Sequence, residues 1–98
     1  MAKRVDANQA SIVKVFRGLG VSVQHLSDVG KGCPDLLLGI FGKNYLVELK
    51  NGSRPPSGQK LTPHEETFFM TWKGQVSIIK SEDEAINFIT SIIRENTK

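Results

Sequence analysis

The sequence predicts a single α/β domain over residues 1–98, with elements in the order αβββαβα and a mixed central sheet flanked by helices. Three observations lead there. Runs with helical spacing of apolar residues alternate with short, β-rich apolar runs, which argues for helices packed on the faces of a sheet. Capping signatures precede the helical runs, and a hairpin signature separates the two strongest strands. The chain has 98 residues, 39% of them hydrophobic and 23% charged, which suits one ordinary globular core.

The first helix is expected over Asp6–Leu19, where Ile12, Val13, Phe16 and Leu19 recur at helical spacing and Gly18 and Gly20 supply the stop. Asp6-x-x-Gln9 fits a capping box. "VSVQHLS" at 21–27 alternates and reads as a strand, and "DVGKGCP" is a Gly-bearing approach to the next element. "DLLLGI" (35–40) and "YLVELK" (45–50) are the clearest strands, joined by a turn expected at Gly42-Lys43-Asn44. "NGSRPPSGQKL" at 51–61 is the one irregular stretch, of a length associated with function or mobility. A second helix opens at Thr62 with Pro63 at N1 and Glu65 at N3, and Phe68, Phe69 and Trp72 form an apolar side read as core. "QVSIIK" (75–80) is a fourth strand. Ser81-x-x-Glu84 then caps a final helix with Ala85, Ile86, Ile89, Ile92 and Ile93 along one side to about Glu95.

Several function classes are excluded early. No apolar run approaches the roughly 20 residues that span a bilayer, and "MAKRVDANQ" has no apolar stretch behind its basic residues, so it does not read as a signal peptide. Cys33 is the only cysteine, which excludes an internal disulfide and fits a reducing, cytosolic setting. With no base paired to it, Cys33 reads as an inert packing residue rather than a nucleophile. The net charge is only +3, but four cations (Lys43, Lys50, Arg54, Lys60) face one anion, Glu48, between residues 43 and 60. The acidic cluster "SEDEA" lies far from them in the chain.

Asp35 at the mouth of one strand and Glu48 and Lys50 at the end of the next are the unusual feature, because buried strands avoid unpaired charge. Glu48 and Lys50 are two apart, so their side chains leave the same face. A tight turn about Gly42-Lys43 would set Asp35 opposite Lys50 and diagonal to Glu48, close enough for both carboxylates to reach one cation. Two carboxylates with room for water form a hard oxygen site suited to Mg²⁺ or Mn²⁺. No Cys/His set has zinc spacing. A divalent ion there would neutralise charge on a phosphate and make a water more acidic, with Lys50 positioning that water or offsetting charge at phosphorus. The residue types alone leave a second reading open: a rim salt bridge of Lys50 with Asp35 or Glu48.

Pro34-Asp35, twelve intervening residues, then Glu48-Leu49-Lys50 resembles the PD-(D/E)xK nuclease motif. "GKGCPDLLLG", "LVELK" and "LTPHEETF" together resemble a stand-alone VRR-NUC domain, the virus-type replication-repair nuclease family, from about Asp6 to Ala85. The resemblance implies a restriction-endonuclease-like core and a metal-dependent DNA endonuclease. It makes Asp35 and Glu48 metal ligands, with the Leu49 carbonyl as a further one, and Lys50 the catalytic lysine. It also implies Mg²⁺ or Mn²⁺ as cofactor, a branched DNA such as a four-way junction as substrate, and a phage or prophage protein in the bacterial cytoplasm. Resolving a junction takes two symmetric nicks, so a homodimer is the expected assembly. Neither a membrane partner nor a small-molecule cofactor is implied.

Two positions depart from the family pattern. Superfamily members often carry a Glu on the first helix where this chain has Gln9, which could hold a water or serve only the capping box. VRR-NUC domains often carry a Gln on the helix after the motif where this chain has Glu65, which either points to the site or is only the N3 cap. His25 and His64 are the two histidines to weigh as general bases; neither spacing favours that role. Lys31, Arg54 and Lys60 lie in loops flanking the site, as phosphate contacts or as solvated charges. No recognition helix and no aromatic platform for stacked bases stands out. The rival readings are a catalytically inactive DNA- or protein-binding module on the same fold, and an RNA-directed nuclease.

Overall fold

A computed structural model of the chain describes residues 7–97, the side chain of residue 7 excepted. The Asp6 half of the first capping box lies outside the described residues. Three α-helices and four strands follow in the order α1 (Ala7–Gly18), β1 (Ser22–His25), β2 (Leu36–Ile40), β3 (Lys43–Leu49), α2 (Pro63–Thr71), β4 (Val76–Ile79) and α3 (Glu82–Asn96), with a 3-10 turn at Pro56–Gln59 before α2. The sheet is open and mixed: β1, β2 and β3 pair antiparallel in sequence order, and β4 joins β3 in parallel. A parallel pair needs a crossover, and the segment carrying α2 supplies it.

The two faces of the sheet differ. Leu36, Leu38, Tyr45, Val47 and Ile79 point to one face and are buried with Ile12, Val13 and Phe16 of α1 and Ala85, Ile89 and Ile92 of α3. α1 packs on α3 and on β1. Tyr45 meets Phe88 edge to face, with ring centroids 5.8 Å apart. Leu37, Leu46 and Glu48 point the other way, by the two-residue period of a strand. Among the described residues only α2 stands on that second face, and it contributes no buried residue.

The hairpin turn is Phe41-Gly42, not Gly42-Lys43-Asn44. Ile40 pairs with Lys43, and both turn residues have positive φ (55° and 72°), as a two-residue type I′ turn requires. The register therefore differs by two residues from the expected one: Leu36 pairs with Val47, and one step further Asp35 falls opposite Glu48 rather than Lys50. A shift of two, unlike a shift of one, leaves every side chain on its expected face.

The helix caps follow from local chemistry. Thr62 Oγ1 accepts from Glu65 N at 3.3 Å while Glu65 Oε1 accepts from Thr62 N at 2.9 Å, a closed capping box. Ser81 Oγ accepts from Glu84 N at 3.1 Å, but Glu84 reaches past Ser81 to the backbone N–H of Lys80 at 2.8 Å. The stretch 51–61 is tied by its own side chains. Asn51 Oδ1 accepts from Ser53 N and Ser53 Oγ, and Gln59 Nε2 donates to the carbonyls of Gly52 and Arg54. Among the described residues no helix is long and apolar enough to cross a membrane.

The apolar side assigned to α2 is not core. Phe68 and Phe69 are half-buried and Trp72 is 48% exposed, because among the described residues no further layer covers the second face. Leu19 and Ile86 likewise remain exposed at the ends of their apolar stripes.

Candidate active site

Glu48 and Lys50 leave β3 on the second face. Lys50 lies one residue past the strand, yet its N–H still bonds Ile79 O at 3.1 Å, so the extended backbone that fixes this side continues through it. Asn8 Nδ2 of α1 donates to Lys50 O at 3.1 Å and holds the same residue from the other side. Asp35 precedes β2: its carbonyl accepts from Leu26 N at 2.8 Å, and its Oδ2 accepts from Leu49 N at 2.8 Å. The Asp35 carboxylate thus serves a backbone donor of β3 that β2, beginning at Leu36, does not reach.

Glu65 completes the cluster from α2. Lys50 Nζ stands 2.8 Å from Glu65 Oε1 and 3.4 Å from Glu48 Oε2. Glu65 therefore does both things that its position suggested: one carboxylate closes the capping box and takes the lysine. The β1–β2 loop and the first turn of α2 are held in contact at Gly32. A Cβ there would lie 2.3 Å from His64 O and 2.8 Å from Glu65 N, and φ is +79°. Only glycine satisfies both conditions. This close approach sets the spacing between the loop bearing Asp35 and the helix bearing Glu65.

Three carboxylates surround one ammonium, so with all four ionised the cluster carries an excess of two negative charges. Glu48 is 3% exposed. Burial, then the charges of Asp35 and Glu65, push its pKa up to about 8, against the pull of Lys50. Asp35 is raised as well, by burial first and by Glu65, with the Leu49 N–H and Lys50 opposing. Burial alone would lower Lys50, but its bonds and charge pairing with Glu65 and Glu48 prevail and raise it. Burial would likewise raise Glu65, but Lys50 and the Thr62 N–H outweigh it and hold Glu65 low. With no cation bound, the cluster thus favours a proton on Glu48 beside a Lys50–Glu65 ion pair.

The remaining candidates fall at varying distances from this cluster. Leu49 ends β3, with its N–H on Asp35. Gln9 is buried, and its Nε2 lies 3.3 Å from His25 Nδ1, so its observed partner is a ring nitrogen rather than a carboxylate of the site. His25 and His64 are exposed, and the contact His64 makes at Gly32 is through its backbone. Lys31, Arg54 and Lys60 are exposed loop residues, and among the described residues none of the three is in an ion pair. Burial and the charges of Asp35 and Glu48 push the Cys33 thiol up, which keeps it protonated and unreactive.

Two residues escaped the sequence reading. Gly32 had a signal in the two glycines of "GKGCPD"; Asn8, one residue before Gln9, had none. No protein-family model matches the chain, and neither the curated proteins nor the solved structures contain a match. Among the described residues, no group of three or more His, Cys, Asp or Glu side chains forms a metal centre. The donors on hand for a cation are the Asp35 and Glu48 carboxylates and the Leu49 carbonyl. Such an all-oxygen set, which carries two negative charges once Glu48 gives up its proton, fits a hard divalent ion.

Proposed function

We propose that this protein is a divalent-metal-dependent DNA endonuclease of the VRR-NUC type, with a restriction-endonuclease-like core. The observation that carries the reading is the convergence of Asp35, Glu48 and Lys50 on one sheet face, with Glu48 buried and its pKa driven up to about 8. Carboxylates packed this closely are unfavourable without a cation, and perturbed groups of this kind concentrate at functional sites. The PD…ExK spacing and the surrounding VRR-NUC-like stretches support the same reading.

In this account Asp35 and Glu48, with the Leu49 carbonyl, hold Mg²⁺ or Mn²⁺. The ion, when bound, supplies Lewis-acid neutralisation of phosphate charge. The reaction is hydrolysis: the oxygen of water bonds to phosphorus, one P–O ester bond breaks, and a phosphate monoester and a hydroxyl result. Lys50 remains an ammonium near neutral pH, because its pKa is raised, so it acts by charge and hydrogen-bond donation rather than as a base. Glu65 holds Nζ in place. Asn8 and the Ile79 carbonyl fix the Lys50 backbone beneath it. Lys31, Arg54 and Lys60 contact backbone phosphates. Cytoplasmic action on branched DNA by a homodimer completes the proposal.

The test is cleavage of labelled four-way junction, flap and plain duplex with Mg²⁺, Mn²⁺ or EDTA, with Asp35→Ala run beside wild type and folding checked by circular dichroism. Paired symmetric nicks in the junction, lost in EDTA and in the variant, are the expected result. Cutting of all substrates alike would keep the chemistry and remove the junction preference. Binding without cutting by folded wild type would favour the inactive binding module.

A further inference from the structure

Beyond the carboxylates, the second face of the sheet continues as an open groove of about 600 Å³ between α2 and strands β2 and β3. Leu37 and Leu46, partners in the β2–β3 register, form its floor. Leu46 is two residues from Glu48 on the same face, roughly 7 Å along the strand. Phe68 of α2, one turn beyond Glu65, and Trp72 at the C-cap of α2 form its wall. Their rings are stacked, 5.0 Å between centroids and 15° from parallel, and Trp72 is half exposed. Cys33 lines the groove at the end nearest the site, where Asp35 and Glu48 act on its thiol. The amide side chains of Asn44 and Gln75 lie toward the other.

We propose that this groove binds an unpaired nucleobase of the DNA strand being cut, next to the scissile phosphate. The inference rests on the nuclease reading and adds a substrate class to it: DNA with unpaired nucleotides beside the cleavage point. The groove adjoins the catalytic cluster, since Cys33, Leu46 and Phe68 of its lining lie two residues before Asp35, two before Glu48 and one turn beyond Glu65, so a strand whose phosphate lies at Lys50 can extend toward it. Among the described residues its lining carries no charged side chain, while the exposed Lys31 and Lys73 adjoin it in the chain, two residues before Cys33 and one after Trp72. That pattern suits a neutral planar base inside and phosphates at the rim. The volume lies within the roughly 300–1,000 Å³ typical of small-ligand sites, and the aromatic wall, which the sequence did not mark as a platform, offers a stacking surface. Gln75 Nε2 donates to the Asn44 carbonyl at 2.6 Å, which leaves the Asn44 amide as the side-chain group for a base edge. A base held in a duplex stack is not available to such a groove without being extruded.

Trp72 is the only tryptophan, so its fluorescence reports on the groove directly. The experiment titrates wild type in EDTA, where no cleavage occurs, with a single-stranded oligonucleotide, an abasic strand of equal length, and a blunt duplex. Quenching by the single strand is expected, with about tenfold or weaker binding of the abasic strand and no quenching by it. By anisotropy of a labelled strand, Trp72→Leu should lose about tenfold for the base-bearing strand only, and Trp72→Phe should recover most of it. Equal binding of abasic and base-bearing strands would overturn the proposal. So would Trp72 shielded by a second copy, seen as a spectral shift that tracks protein concentration and sedimentation as a dimer, both abolished in Trp72→Leu. A parallel Mg²⁺ cleavage assay separates the two ideas. Stacking without cleavage defeats the nuclease reading alone, and cleavage with base-independent binding defeats the groove alone.

Discussion

Glu48 should make the protein less stable as the pH rises, and on the proposed function a divalent cation should reverse this. Its pKa is about 8 in the fold against 4.5 in the unfolded chain, so the fold retains a proton that the unfolded chain has lost in the interval between. Unfolding therefore releases a proton there, and stability declines as pH climbs from about 5 to 8. The interval itself bounds the loss at the order of 4–5 kcal/mol, and sharing of the charge among Asp35, Lys50 and Glu65 brings a realistic figure to about 2–4 kcal/mol. Asp35, also raised, acts in the same direction. Lys50, raised, and Glu65, lowered, keep their contributions throughout this interval. For a domain of this size 1 kcal/mol corresponds to about 5 °C in Tm, so Tm in EDTA should fall by roughly 10–20 °C between pH 5 and pH 8. Mg²⁺ or Mn²⁺ at ten times its Kd should restore about 1.4 kcal/mol, or about 7 °C, at pH 8. Glu48→Gln, close in shape and without charge, should flatten most of the slope, leave the part due to Asp35, and abolish the response to metal. A wild-type Tm independent of pH in EDTA, or an equal slope in Glu48→Gln, would refute the reasoning.

Other outcomes follow from single contacts. Gly32→Ala should cost about 3 kcal/mol or more, from a positive φ and a collision with the His64 carbonyl, seen as a Tm drop of at least about 15 °C in a melting curve. Glu65→Gln keeps the capping-box geometry but loses the charge held against Lys50. Thermal stability should change by less than about 1 kcal/mol while the cleavage rate falls several-fold, and Glu65→Ala should fall further on both. Phe41→Asn should raise stability by up to about 1 kcal/mol in a denaturant titration, since Phe is a poor residue at φ 55° and is half exposed there.

The α/β class could be read from the sequence because two periods alternate along the chain, and the site pair because Glu48 and Lys50 are two apart on a strand. The exact register could not. Phe41 has none of the usual chemistry of a type I′ turn, whereas Gly42-Lys43-Asn44 offers it, so the expected turn about Gly42-Lys43 lies one residue too far along and sets Asp35 against the wrong partner. Parity protected the conclusion, since a two-residue error keeps the face. Glu65 showed its two roles as alternatives, because sequence spacing cannot say that one carboxylate oxygen, Oε1, serves a cap and a lysine together. Phe68 and Trp72 misled in the opposite sense. Helical spacing marks an apolar side, but it does not reveal whether another layer covers it.

The central claim is that Asp35, Glu48 and Lys50 form a metal-dependent phosphodiesterase centre. Its most direct test is the initial rate of cleavage of one labelled four-way junction by wild type and Lys50→Ala, in Mg²⁺ and in EDTA, with both proteins verified as folded. The account predicts cutting by wild type in Mg²⁺ only, and a loss of at least about a hundredfold in Lys50→Ala, on the scale of removing one transition-state charge stabiliser. Cutting that persists in EDTA, or that Lys50→Ala performs as well as wild type, would contradict it.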